Sequence, residues 1–118
     1  MSYTHQFEIT PRKTQETDTL VDIISSHKSS YIFTGDLNAV PGSYTINRIA
    51  KYLKNAGPDI TQATWTTKPF SYDNFEETEL KWRLDYIFAT DDIKVTSTEI
   101  LNTNYSDHLP ILAKFELG

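Results

Sequence analysis

Three short runs, Tyr31-Ile32-Phe33, Tyr86-Ile87-Phe88 and Ile111-Leu112-Ala113, are apolar at every position. Side chains of a strand alternate between its two faces, so strands of this kind need cover above and below the sheet. The rest of the chain supplies two convincing helices, enough for about one face. The expected architecture is therefore α/β, with one mixed β-sheet and helices on one face. The second face is left for the long loop or another chain to cover.

In chain order, residues Ser2 to Ile9 alternate loosely, with Tyr3, Phe7 and Ile9 on one face, and predict a strand. Thr10-Pro11 is a helix opening, and Leu20, Val21, Ile23 and Ile24 form an apolar stripe running to about Ser26. A polar loop leads to the strand Tyr31 to Thr34, and the strand–helix–strand order predicts parallel neighbours. Ser43 caps a second helix with Ile46, Ile49, Ala50 and Leu53 on its inner side, and Asn55-Ala56-Gly57-Pro58 stops it. From Asp59 to Lys81 the periodicity is lost, and a long aromatic loop of this kind is usually functional or mobile. Strands are expected over Trp82 to Ala89, Ile93 to Leu101 and Ile111 to Leu117.

Polar groups gather at the ends of these strands. In Gly35-Asp36-Leu37-Asn38 an acid and an amide sit two residues apart just past a strand end, where α/β proteins commonly place their chemistry. They suit a hard cation and its water, although Gly-Asp is also ordinary turn chemistry. Asp85 interrupts a strand otherwise fit for burial, and a buried carboxylate is costly unless paired. It has Arg83 or a backbone amide as simple partners. Asp107-His108 precedes the last strand, and His5 lies in the first. An Asp–His pair beside an oxygen-rich cation site suits phosphate ester hydrolysis.

GDLNAVPGS, RLDYIFATDDIKV and SDHLPILAKFEL resemble, in order and spacing, the last three motifs of the endonuclease/exonuclease/phosphatase superfamily, which has a deoxyribonuclease I-like fold. Tyr3-Thr4-His5, with Arg12 and Gln15, resembles the motif before them. The resemblance implies a catalytic set of His5, Asp36, Asn38, Asp85 and His108. Asp36 would orient or deprotonate the attacking water and Asn38 would position it and the phosphate. His108 would donate to the phosphate while Asp85 fixes its tautomer. Asp107 would belong to a Mg²⁺ or Mn²⁺ site and His5 would bind phosphate. Asn38, Trp82 and Arg83 would contact substrate, Trp82 as in DNA-repair relatives; a Trp anchoring the long loop to the sheet edge is the plain alternative. The family's domain is a four-layer α/β sandwich about twice this length. Residues 1–118 thus resemble its C-terminal half, without the half that carries the principal metal-binding Glu.

The implied function is metal-dependent hydrolysis of a phosphodiester or phosphomonoester, with DNA or RNA among the candidate substrates, by this chain or by a domain of which it is half. The alternative is an inactive module whose open sheet face binds the missing N-terminal half or a second copy. A net charge of -5 argues against a broad nucleic-acid footprint. There is no cysteine for disulfides, thiolate metal sites or a thiol nucleophile. No apolar run approaches the ~20 residues a membrane helix needs, and Met1 to His5 does not read as a signal peptide, so no membrane insertion and a cytoplasmic location are the default expectations.

Overall fold

The computed structural model describes residues 11–103 and 105–116. Helix α1 (Pro11–Ser26) opens at the proline, as expected for a residue with no N–H to lose at a first turn. Its inner side is set by Thr17, Val21 and Ile24, at 3%, 1% and 5% exposure, whereas Ile23 is 53% exposed. Positions i, i+4 and i+7 share a helix face, and position i+6 falls off it. Ile23 was therefore misplaced in the predicted stripe.

Helix α2 (Tyr44–Ala50) is capped by Ser43, whose Oγ accepts the N–H of Ile46. It is shorter than its apolar pattern suggests. The N–H groups of Tyr52 and Leu53 both turn back to the Ile49 carbonyl, which keeps Leu53 in the core beyond the last helical turn. The chain then forms β2 (Lys54–Asn55) on a sheet edge, where a plain helix stop was expected. α1 and α2 are joined by a buried Thr17–Thr45 hydroxyl pair at 2.7 Å, and by Asp18 accepting from Tyr44 and Arg48.

The organising sheet has the order β1-β5-β2, with β1 (Ile32–Asp36) and β5 (Asp85–Ala89) antiparallel. β5 is buried on both faces. Tyr86 and Phe88 enter a cluster with Val21, Ile24, Ile46, Ile49 and Leu53, the helix side. Ile87 and Ala89 point the other way, to Ala56, Ile93, Val95, Ile111, Ala113 and Phe115. The last four belong to a hairpin of β6 (Lys94–Ile100) and β7 (Ile111–Glu116). This second face is covered over β5 but not over β1, whose Ile32 is 40% exposed beside an exposed Thr34.

The long loop is more ordered than its composition suggests. It holds the hairpin β3 (Phe70–Tyr72) and β4 (Phe75–Glu77), with Phe70 packed against both Trp65 and Phe75. The α/β class and the helices on one face are as expected. The described strands pair only antiparallel, as one three-stranded sheet and two hairpins. The expected parallel pair involves residues 2–9, which lie outside the described residues, as does His5.

Candidate active site

The β1–β5 register brings the site together. Asp36, the last residue of β1, stands opposite Asp85, the first of β5. Because Tyr86 and Phe88 face the helices, Asp85 and its partner lie on the opposite, less covered face. Two carboxylates directly across an antiparallel pair repel each other, and His108 lies between them. Its Nδ1 is 2.7 Å from Asp85 Oδ2 and its Nε2 is 3.6 Å from Asp36 Oδ2. The three side chains are partly buried, with His108 19% exposed. They line a cavity of about 440 Å³ whose apolar wall includes Ile87, Leu109 and Ile111.

Local chemistry fixes the Asp36 turn. Asp36 Oδ1 accepts the N–H of Asn38 at 2.9 Å, an Asx turn, and the Leu37 N–H donates to the Leu84 carbonyl. Asn38 adopts φ 48° and is 3% exposed. Asparagine tolerates this left-handed region better than most residues, for which it costs about 1–2 kcal/mol. The residue type thus serves the backbone as well as any chemistry. Asn38→Gly separates the two roles: its melting temperature is expected within a few degrees of wild type, while turnover, if the amide positions water and phosphate as the family motif implies, falls roughly tenfold or more. Calorimetry and a turnover assay on the same sample check this, and a large loss of stability would mean that the amide mainly supports the fold.

The electrostatics follow from this crowding. Burial raises the Asp36 carboxyl pKa, Asp85 and Asp107 add to the rise, and the Asn38 N–H and His108 oppose it. For His108, burial disfavours the imidazolium, but the Asp85 hydrogen bond and the charges of Asp85, Asp36 and Asp107 outweigh it, so its pKa is raised. A histidine held through Nδ1 by a carboxylate, with Nε2 turned into a cavity, is arranged to donate a proton from Nε2.

Sequence reading missed the residues that set this spacing. Thr64 and Trp65 are fully buried and thread between the two motifs. Thr64 Oγ1 accepts the N–H groups of Leu84 and Asp85, and its carbonyl accepts the N–H of Leu109. Trp65 donates Nε1–H to Asp107 Oδ2 at 3.2 Å, and Thr67 binds the Asp107 and Ser106 carbonyls. One segment therefore holds both the Asp85 strand end and the Asp107-His108 loop. Its only sequence signal was two threonines around a tryptophan in a stretch without periodicity.

The endonuclease/exonuclease/phosphatase family model matches residues 2–108, most of the chain and all of these elements but the last strand. The chain belongs to this family. Three solved structures share its fold. An endonuclease/exonuclease/phosphatase from Bacteroides vulgatus is 26% identical with a TM-score of 0.64, over 90% of this chain and 44% of that one. A mannosyl-6-phosphatase from Bacteroides thetaiotaomicron is 14% identical with a TM-score of 0.60, over 89% and 44%. A family protein from the same organism is 15% identical with a TM-score of 0.59, over 87% and 43%. The chain spans less than half the length of each. No curated protein matches it.

Two residues expected to contact substrate, Arg83 and Trp82, have structural partners here. Arg83 is 3% exposed, and its guanidinium donates to the carbonyls of Pro58, Asp59, Gln62 and Asp85 while lying over the Tyr86 ring. It anchors the 58–62 loop to β5 and has no face toward the cavity. Trp82 is half-buried, donates Nε1–H to Glu77 and lies beside Lys81. It ties the β3–β4 hairpin to the sheet edge.

Asp107 lies close enough to act on both Asp36 and His108, and its oxygens accept from Trp65 and Ser106. Asp36, Asp85 and His108 offer ligand atoms within 4.8 Å of one another. The two carboxylates suit a hard divalent cation, whereas the imidazole offers a nitrogen. The fit is partial, because Asp85 is committed to His108.

Proposed function

We propose that this chain carries the water-activating and proton-donating half of a metal-dependent phosphoesterase. The observation that carries the reading is the Asp85–His108–Asp36 array, with the imidazole held at 2.7 Å on one side and 3.6 Å from a second carboxylate on the other. Asp36 takes the proton of the attacking water, and its raised pKa makes it a stronger base than an ordinary aspartate. Asn38 positions that water and the phosphate. Protonated His108 stabilises the charge that develops on the phosphoryl oxygens, and Asp85 keeps its ring oriented. Asp107 would contribute to a Mg²⁺ or Mn²⁺ site, and the ion, when bound, supplies positive charge to the phosphate and lowers the pKa of water. His5 is assigned to phosphate binding through the family motif alone.

The face of β1 bearing the exposed Ile32 is where the remainder of the family's domain would pack, completing both the sandwich and the metal site. A second copy on that face would instead make the chain a non-catalytic binding module. Among the described residues no helix is long and apolar enough to cross a membrane. The test is release of p-nitrophenol from p-nitrophenyl phosphate and bis-p-nitrophenyl phosphate, by the chain alone and mixed with an N-terminal half from the family. Turnover that requires Mg²⁺ or Mn²⁺ and stops with EDTA is expected in the mixture. No turnover in a mixture shown by sedimentation to be a complex would refute the enzymatic reading.

A further inference from the structure

Trp65 reaches from the stretch without periodicity to the edge of the site. Its backbone is fixed by a reciprocal pair of hydrogen bonds with Trp82, each N–H donating to the other residue's carbonyl at 2.9 Å. Its side chain is fully buried and meets the ring of Phe70 edge-on, with 5.0 Å between centroids. An indole has one N–H and no acceptor. Held on both sides, this one aims that N–H at Asp107 Oδ2, 3.2 Å away. The same ring lies 6.4 Å from the ring of His108, centroid to centroid.

We infer that Trp65 is a positioning residue of the site, one that fixes the Asp107 carboxylate beside Asp36 and His108 without neutralising it. The inference rests on the phosphoesterase reading above, in which Asp107 serves through its charge. Asp107 is half-buried in a loop, and its charge acts on both Asp36 and His108. An aspartate there must be held against rotation about two side-chain bonds. A lysine or arginine would hold it, but its positive charge would offset the negative charge the site uses. No lysine or arginine among residues 15–103 and 105–116 forms an ion pair with Asp107. The indole is a neutral donor, so it restrains Oδ2 and leaves the net charge intact. Oδ1 meets the Ser106 hydroxyl only at 3.4 Å, a long contact, and is the less engaged oxygen.

The main chain of the same loop is held by other groups. Thr67 donates its N–H to the Asp107 carbonyl at 3.0 Å and its hydroxyl to the Ser106 carbonyl at 2.6 Å. Ser106 Oγ accepts the N–H of His108 at 3.2 Å, and the Thr64 carbonyl accepts that of Leu109 at 2.7 Å. None of these bonds uses the indole. Loss of the indole N–H therefore frees the Asp107 side chain while the loop keeps its backbone partners. This separates a positioning role from a merely structural one.

The test compares Trp65→Phe, Asp107→Ala and the double variant, each as the full chain mixed with the N-terminal half from the family. Trp65→Phe keeps a buried ring and loses the N–H. Its turnover at saturating substrate is expected to fall about tenfold, with KM within about twofold of wild type, because the buried indole cannot touch substrate. In the Asp107→Ala background the same change should cost less than about twofold, since a residue that acts through Asp107 has nothing left to act on. If Trp65→Phe does not fold, a full chain with 3-benzothienylalanine in place of Trp65 replaces it, keeping the shape of tryptophan with sulfur for the N–H. A second readout needs no turnover. In the ¹⁵N-labelled full chain the indole N–H resonance of Trp65 should move in Asp107→Ala while that of Trp82 stays. Losses that add in the double variant, or a Trp65 resonance that Asp107→Ala leaves in place, overturn the inference and leave the phosphoesterase reading standing. No turnover in the wild-type complex overturns both.

Discussion

Asp36→Asn is expected to lower phosphoester turnover in the reconstituted enzyme by about 10²–10⁴-fold without unfolding the protein. The amide oxygen can still accept the Asn38 N–H, so the Asx turn is kept. What is lost is the carboxylate proposed as the base. The carboxylate also stands across from Asp85 and is raised in pKa by burial first and by Asp85 and Asp107 after it, so its charge opposes folding in the absence of metal. The metal-free melting temperature should therefore hold or rise while activity collapses. Turnover within a few-fold of wild type would show that another group activates the water.

Asp85→Asn should produce the second large effect, on His108. Burial alone would depress this histidine, and the Asp85 hydrogen bond and charge do most to reverse that. Without Asp85 the midpoint should fall below its wild-type value, and turnover should drop roughly 10²-fold or more as the imidazolium donor and its orientation are lost. Histidine-ring NMR in metal-free buffer reads the midpoint directly. A midpoint that stays put would mean that Asp36 and Asp107, not Asp85, hold the charge.

The sign of the pH dependence follows for stability as well. A folded-state pKa raised above the unfolded value means that the native state binds the proton more tightly. For His108 the stabilisation is fully present below the unfolded value near ~6.5 and is lost as pH rises through the folded value. Asp36 is also raised, so its window runs in the same direction at lower pH. The contribution of these two groups to metal-free stability should therefore decline as pH increases, and the His108 part, read near neutral pH, should shrink in Asp85→Asn.

Much of this was legible from local pattern. The Pro11 opening of α1 and the Ser43 cap of α2 are decided by residues within a turn of each other, as are the three apolar runs that became β1, β5 and β7. The acids and the histidine were legible because a carboxylate at the end of an apolar strand needs a partner. Less legible were the end of α2, where Leu53 is buried outside the helix, and the fate of Arg83. The sequence offered Arg83 as a partner for Asp85, and the family resemblance implied contact with substrate. Its burial depends on four carbonyls, three of them contributed by residues 58–62, which local pattern cannot bring to it.

By itself, then, the sequence determined the α/β class, the helices, the apolar strands and the polar groups gathered at the strand ends. It did so because periodicity, capping and the cost of a buried charge act over short separations. Only the tertiary structure decided how those groups meet. The β1–β5 register sets Asp36 against Asp85, His108 comes between them from 23 residues away, and Thr64 and Trp65 fix the gap from the stretch that carried no pattern. Distances of a few ångströms between residues far apart in the chain are set by packing and backbone pairing, and no local signal records them.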